Sequence, residues 1–182
     1  MQCPKCKTEP LHPAILEQGL PTLSCNQCEG SSVSLLYYRD WAERCGEATE
    51  ADAVTDVEVA AVEATGDSAA ALSCPKCSRI MTKYRVSSRH NNRLDLCGHC
   101  DEAWLDKGEW QLLKSLNLGD QMPLVFTEQW QRRVRKQASE DLRRQRFVSL
   151  VGEEAIQEAD KVREWLKDQP QRAQILQYLN FE

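Results

Sequence analysis

The sequence predicts a small α+β protein in two parts. A pair of modules, each a short β-hairpin and a helix gathered around a metal ion, comes first, and an all-α C-terminal region follows. Three observations predict this. Eight of the nine cysteines fall into four C-x2-C pairs, Cys3/Cys6, Cys25/Cys28, Cys74/Cys77 and Cys97/Cys100. The pairs form a tandem repeat: Cys3-Pro4-Lys5-Cys6 recurs as Cys74-Pro75-Lys76-Cys77, and the next pair follows after 18 residues in the first copy and 19 in the second. The last third carries apolar residues at helical spacing. Residues 1–45 are thus the first module, 46–72 a linker, 73–119 the second module and 120–182 the helical region.

In the first module Ser34 can cap a helix reaching Cys45, with Leu35, Tyr38, Trp41, Ala42 and Cys45 on its apolar face and Gly46 as its stop. The stretch from Glu47 to Leu72 is rich in Ala, Val, Glu, Asp and Thr and has no basic residue, which reads as a solvated acidic linker. The second module shows two alternating stretches, Lys83–Val86 and Arg93–Leu96, with Asn91-Asn92 in the turn between them. After Cys100, Asp106 and Glu109 fit a capping box. Trp110, Leu112, Leu113 and Leu116 continue at helical spacing toward Gly119 as the stop.

In the C-terminal region Thr127 can cap a helix whose stripe is Trp130, Val134, Ala138 and Leu142, continued by Phe147, Leu150 and Val151 and broken at Gly152. A second stripe runs Ile156, Ala159, Val162 and Leu166. A third helix begins near Pro170 with Ala173, Leu176 and Leu179.

Composition limits the function classes. The 182 residues are 41% hydrophobic and 28% charged, with a mean hydropathy of -0.58, the profile of a soluble protein. No run approaches the roughly 18 apolar residues of a membrane span. Met1-Gln2-Cys3-Pro4 opens on a cysteine pair rather than a leader. The expected compartment is the reducing cytoplasm, where cysteines hold metals more often than disulfides. The formal charge of -5 divides as -1, -7, +3 and 0 over the four segments. A protein living on phosphate contacts usually shows a basic surplus, and this one does not.

The spacing C-x2-C-x18-C-x2-C, and again with 19, lies in the range of zinc sites. Each pair on a tight turn offers two thiolates, and a hairpin returning the second pair completes a tetrahedron. The expected ligands are Cys3, Cys6, Cys25 and Cys28 for one Zn2+ and Cys74, Cys77, Cys97 and Cys100 for another. A module of about 45 residues cannot hold itself together by apolar burial alone, so the ions are expected to be structural. A full thiolate shell leaves no open position for water, which argues against catalysis and against an enzyme. Iron is the chemical alternative. A thioredoxin-like redox pair would need a βαβ context that is absent here.

The remaining candidates read quietly. Cys45 is expected as a buried small hydrophobe. His99 sits inside a pair whose shell the thiols already fill, His90 lies at the hairpin tip, and His12 stands alone before Pro13. Two basic sets could contact a partner. One is Tyr84, Arg85, Arg89, His90 and Arg93 on the second hairpin. The other is the run Arg132, Arg133, Arg135, Lys136, Arg143, Arg144 and Arg146, interrupted by Glu140 and Asp141. Lys5, Lys7, Lys76 and Arg79 lie beside the cysteines, where they offset thiolate charge.

The stretch Cys97-Gly-His-Cys100-Asp-Glu-Ala-Trp104-Leu105-Asp106-Lys107-Gly108-Glu109-Trp110 resembles the bacterial transcription-factor-IIB-type zinc-ribbon family (zf-TFIIB). That pattern is a CPxC turn, a hairpin and a CxxCxGxWLDxGEL-like close. Here Glu102 replaces the usual glycine and Trp110 the usual leucine. The first module resembles the family less closely: it keeps Cys3-Pro4-Lys5-Cys6, Cys25, Cys28 and Gly30, while Ser32, Val33 and Ser34 stand in place of Trp104, Leu105 and Asp106. The resemblance covers roughly 90 residues and implies two zinc ribbons. The family name implies transcription, yet a shared fold hosts many functions.

The functional expectation is a non-enzymatic, zinc-binding interaction or regulatory adaptor with a protein partner, attached to the transcription or translation machinery. The alternative is direct nucleic-acid binding by the second ribbon and the basic helix. No membrane or small-molecule partner is expected. The two ribbons are expected to pack on each other, since Trp41 and Trp110 lie on comparable helices.

Overall fold

Each cysteine pair folds the chain back on itself in the same way. The amide of the residue after the second cysteine donates to the carbonyl of the first: Lys7 to Cys3 at 2.8 Å, Glu29 to Cys25 at 2.9 Å, Ser78 to Cys74 at 2.8 Å and Asp101 to Cys97 at 3.0 Å. To close that turn, Lys7, Glu29, Ser78 and Asp101 all take left-handed backbone, with φ of 65°, 55°, 62° and 53°. None of the four is glycine, and for a residue with a Cβ this conformation costs about 1–2 kcal/mol. The same strained turn made four times points to a common demand at the four cysteine pairs.

The computed structural model describes residues 1–45 and 69–181, without the Cys45 side chain. The acidic stretch up to residue 68 and the packing expected of Cys45 lie outside the described residues. The first half contributes β1 (His12–Glu17), β2 (Leu20–Ser24), β3 (Ser31–Ser34) and α1 (Leu35–Cys45). The second contributes β4 (Thr82–Arg85), β5 (Arg93–Cys97), β6 (Glu102–Leu105) and α2 (Glu109–Ser115). A 3-10 turn (Met122–Phe126), α3 (Glu128–Val151), α4 (Glu153–Lys167) and α5 (Arg172–Leu179) follow. Among the described residues this is a mixed α+β protein with one six-stranded sheet and five α-helices.

The sheet is antiparallel throughout, in the order β1-β2-β3-β6-β5-β4. The halves therefore meet at β3 and β6, where Ser31 faces Leu105, Ser32 faces Trp104, Val33 faces Ala103 and Ser34 faces Glu102. Ser32 and Trp104 each stand four residues after the last cysteine of their half. Equivalent positions thus pair with each other, and the register is two-fold symmetric about them.

Alternation along the strands gives the sheet two different faces. Val33, Leu94, Leu96, Ala103 and Leu105 point to a core shared with Leu35, Tyr38 and Trp41 of α1, Trp110, Leu112 and Leu113 of α2, and Trp130 and Val134 of α3. Trp104 points the other way, into a second cluster with Leu11, Leu23, Met81 and the cysteines. Helices thus cover one face and cysteine turns the other, and every residue of β6 is buried.

Several expectations shift. The hairpin appears as β4 and β5, and α1 begins directly after Ser34, but each half gains a third strand. Gly108, left-handed at φ 84°, starts α2 in place of Asp106. Half of the capping box survives: the Glu109 carboxylate accepts the Asp106 N–H at 2.8 Å. α2 ends at Ser115, before Gly119. Thr127 caps α3 by accepting the Trp130 N–H at 3.2 Å. Trp41 and Trp110 meet with ring centroids 5.8 Å apart, so the two halves do pack together.

The chain separates into two units, Met1–Arg135 and Lys136–Glu182, with the division inside α3 rather than at 119/120. Both cysteine modules belong to the first. In the second unit Leu166 is buried, whereas Leu142, Phe147, Val162 and Leu179, expected on apolar stripes, are 46–58% exposed. Helical periodicity located these helices correctly but overstated how much of each stripe is covered.

Candidate metal centre

The four turns bring their thiols together in two groups of four, Cys3, Cys6, Cys25 and Cys28, and Cys74, Cys77, Cys97 and Cys100. Within each group all sulfurs lie within 4.8 Å of one another. The Cys3–Cys28, Cys6–Cys25 and Cys77–Cys97 separations are 3.5, 3.9 and 3.6 Å. A disulfide would require about 2.05 Å. A tetrahedron with metal–sulfur bonds of about 2.3 Å has edges of roughly 3.8 Å, so the donor sets fit a metal ion. Each group can bind one. All eight cysteines of the four C-x2-C pairs fall in these two groups.

Main-chain amides tune the thiols. The Cys6 amide lies 3.3 Å from Cys3 Sγ. A bond from the Arg79 amide holds Cys77 down to about 7. Next to it, the Cys77 thiol and burial push Cys100 up to about 12, and burial raises Cys74. In the first group burial raises Cys6 and Cys28. At Cys25 burial is outweighed by the amides of Cys28 and Gln27, which lower it. Four thiols at this spacing cannot all ionise without a cation among them, which couples metal uptake to proton release.

The shell around the thiols ties the two halves. Lys5 of the first turn reaches Asp106 Oδ1 at 3.1 Å, and that carboxylate is 2% exposed. Trp104 Nε1 donates to the same oxygen at 3.2 Å. Lys76, the matching lysine of the third turn, bonds Glu102 Oε1 at 3.2 Å, while Ser32 Oγ donates to Glu102 Oε2 at 3.3 Å. Further ties are Lys107 to Glu29 at 2.7 Å and Lys114 to Glu17 at 2.7 Å. The expected offset of thiolate charge by Lys5 and Lys76 is thus joined to carboxylates that bridge the halves.

The proposed contact residues are largely engaged. Tyr84 packs edge-on against Phe126 with centroids 5.3 Å apart. Arg85 Nη2 donates to Asn91 Oδ1 at 3.0 Å and faces Arg93 across β4–β5. Arg89 is exposed, and His90 Nδ1 lies 2.8 Å from Ser87 Oγ. In α3, Arg132 pairs with Glu128 at 2.6 Å and Arg133 lies over the Trp130 ring at 4.5 Å, while Arg135 is exposed. In the second unit Arg144 pairs with Glu153 at 2.9 Å and Arg143 lies over Phe147 at 5.8 Å. His12 and His99 are exposed and stand outside both thiol groups.

Three contacts go beyond the sequence reading. Glu109 is fully buried and, besides the Asp106 amide that the capping box assigns to it, accepts from Asn92 Nδ2. Gln131 closes the β4 edge: its Oε1 accepts the Arg85 N–H at 3.2 Å and its Nε2 donates to the Arg85 carbonyl at 2.9 Å. Tyr38 Oη donates to the Gly119 carbonyl at 2.8 Å and accepts the Met122 N–H at 2.9 Å. The last contact could have been sought as a polar tip on an apolar stripe. The other two leave no local signal.

Among the described residues no helix is long and apolar enough to cross a membrane. Comparison with family models, curated proteins and solved structures returns no significant match.

Proposed function

We propose that the protein is a zinc-binding, non-enzymatic interaction adaptor of the cytoplasm. In this reading the two halves are zinc ribbons of the transcription-factor-IIB type, and the protein partner belongs to the transcription or translation machinery. The observation that carries it is the pair of complete four-thiol groups. Soft thiolates in a tetrahedron select Zn2+, and a closed shell leaves no coordination position for substrate or water. The ions then act as staples that fix the turns and the hairpins, and the surface around them does the binding.

Charge favours a protein partner over nucleic acid. The chain is at -5 before each filled site adds about -2. Arg132 and Arg144 are already paired with carboxylates, which reduces what they can offer a phosphate. One observation favours the second reading, direct nucleic-acid binding: Arg85 and Arg93 stand directly opposite on β4 and β5. Two guanidinium groups so placed concentrate positive charge on this hairpin, which favours a phosphate.

The test is binding of the metal-loaded chain to labelled single- and double-stranded nucleic acid across a salt series, together with elemental analysis of the purified protein. The adaptor reading expects two zinc per chain and no binding even at low salt. Steeply salt-dependent binding, weakened by Arg85→Gln with Arg93→Gln or by replacing Arg132, Arg133 and Arg135, would establish the second reading instead. Iron in the elemental analysis would correct the metal.

A further inference from the structure

We infer that the two four-cysteine sites take up metal as a coupled pair, each raising the other's affinity across the β3–β6 junction. The inference rests on the metal reading above and adds to it a property of the junction. Trp104 is completely buried in one cluster with Cys3 and Cys25 of the first site and Cys74 and Cys97 of the second. Its ring lies directly against Gly30, two residues after Cys28: a Cβ added at Gly30 would stand 2.3 Å from Trp104 Cζ2. On the other side, Leu35 N–H donates at 2.8 Å to the carbonyl of Asp101, which follows Cys100. Each half thus rests on the residues that follow the other's last ligand.

Two carboxylates repeat the pattern from the front of each site. Asp106 belongs to the second half, yet its Oδ1 receives Lys5 from the first site's turn at 3.1 Å and Trp104 Nε1 at 3.2 Å. Glu102 receives Lys76 from the second site's turn at 3.2 Å and Ser32 Oγ from the first half at 3.3 Å. The lysine of each C-P-K-C turn therefore ends on a carboxylate that also grips the opposite half.

Coupling follows from when these contacts can exist. A half of about 45 residues does not stay folded without its ion, so metal binding and folding are one process. The junction forms only between two folded halves. A metal bound at one site presents a formed β3 or β6 edge to the other half, and linkage makes the benefit reciprocal.

The test titrates the full chain with Co2+, whose thiolate-to-cobalt and ligand-field absorption bands report four-sulfur sites, against a competing chelator. The intact chain is expected to fill two equivalents cooperatively. With Cys3→Ser and Cys6→Ser, the second site should bind at least about tenfold more weakly than in the intact chain, within the usual range of coupling. Gly30→Ala and Lys5→Gln leave every ligand in place. Each should keep both equivalents and their band positions while the cooperativity falls, a change that damage confined to one half would not produce. Should Gly30→Ala fail to take up metal, Lys5→Gln, which leaves the backbone unaltered, decides. Unchanged second-site affinity in the Cys3/Cys6 variant, or unchanged cooperativity in Lys5→Gln, overturns the coupling. Two equivalents filling independently would refute the coupling alone, whereas absence of thiolate–cobalt bands would refute the metal reading.

Discussion

The two cysteine halves share a plan and differ where they touch. Counting from the last cysteine, the first half has Gly30, Ser32, Ser34 and Tyr38 where the second has Glu102, Trp104, Asp106 and Trp110. Across the symmetric β3–β6 register the large side chains of one half meet the small ones of the other. Trp104 lies on Gly30, and Glu102 meets Ser32. The helix aromatics also cross over: Tyr38 bonds Gly119 and Met122, and Trp110 Nε1 bonds Glu17 Oε2 at 3.1 Å. A second-half copy pairing with itself would bring Glu102 into the place that Trp104 needs. The difference between the copies therefore specifies their mutual pairing, a device that identical copies would lack.

The largest break in that comparison removes a site outright. Cys74→Ser with Cys77→Ser should eliminate one metal equivalent, and with it binding free energy on the order of 10 kcal/mol that is also folding energy. The expected result is half the metal content and loss of a cooperative thermal transition for the second half. Elemental analysis and calorimetry check it.

Next in size is the junction itself. Trp104→Ala empties a fully buried indole site and should cost about 3–5 kcal/mol in denaturant unfolding. The equivalent change in the first half, Ser32→Ala, loses one 3.3 Å hydrogen bond and should cost about 0.5–1.5 kcal/mol. Equal effects at the two equivalent positions would mean that the halves are not complementary in the way the contacts indicate.

Glycines sharpen the same point at lower energy. Gly30→Ala drives a methyl into the Trp104 ring and should destabilise by about 1–3 kcal/mol. At Gly98, between Cys97 and Cys100, an added Cβ meets nothing within 4 Å. Gly98→Ala should stay within about 0.5 kcal/mol. The pair measures crowding at the junction against an open cysteine turn, with chemical denaturation as the readout.

How much of this the sequence carried depends on range. The eight ligands, the repeat, α1 and the β4–β5 hairpin rest on spacing and alternation within a few residues, and they were legible. The β3–β6 ladder was not. Ser31–Ser34 is a polar tetrapeptide with a single Val33 as an apolar cue, and its partner lies about seventy residues away. Glu102 was visible as a departure from the motif that the sequence resembles, but its meaning needs the other half beside it. The capping box was half right because Asp106 has a stronger use: its carboxylate is taken by Lys5 and Trp104, which leaves Gly108 to start the helix. In the second unit, periodicity gave the helices, while burial depends on neighbours that periodicity cannot supply.

The smallest effect distinguishes the two crossed aromatics by pH. Burial, aided by the Asp120 carboxylate and opposed by the Met122 amide, raises Tyr38 above the ordinary tyrosine value of 10.0. The native state therefore holds the phenolic proton to higher pH than the unfolded chain does. That contribution is complete below pH about 10 and is lost as pH rises through the native value. Tyr38→Phe leaves the Gly119 carbonyl and Met122 amide unpaired and should cost about 1–3 kcal/mol at pH 7. Its deficit should then shrink between pH 10 and 11, because only the parent protein loses the Tyr38 contribution there. Trp110→Phe, which breaks the opposite crossing to Glu17, has no titrating group to remove in that range and should show a deficit independent of pH. Urea unfolding of the three proteins from pH 7 to 11 makes the comparison, since every other titration is common to all and cancels in the difference. A Tyr38→Phe deficit that stays constant to pH 11 would mean that the phenol is not held neutral by its burial between the halves.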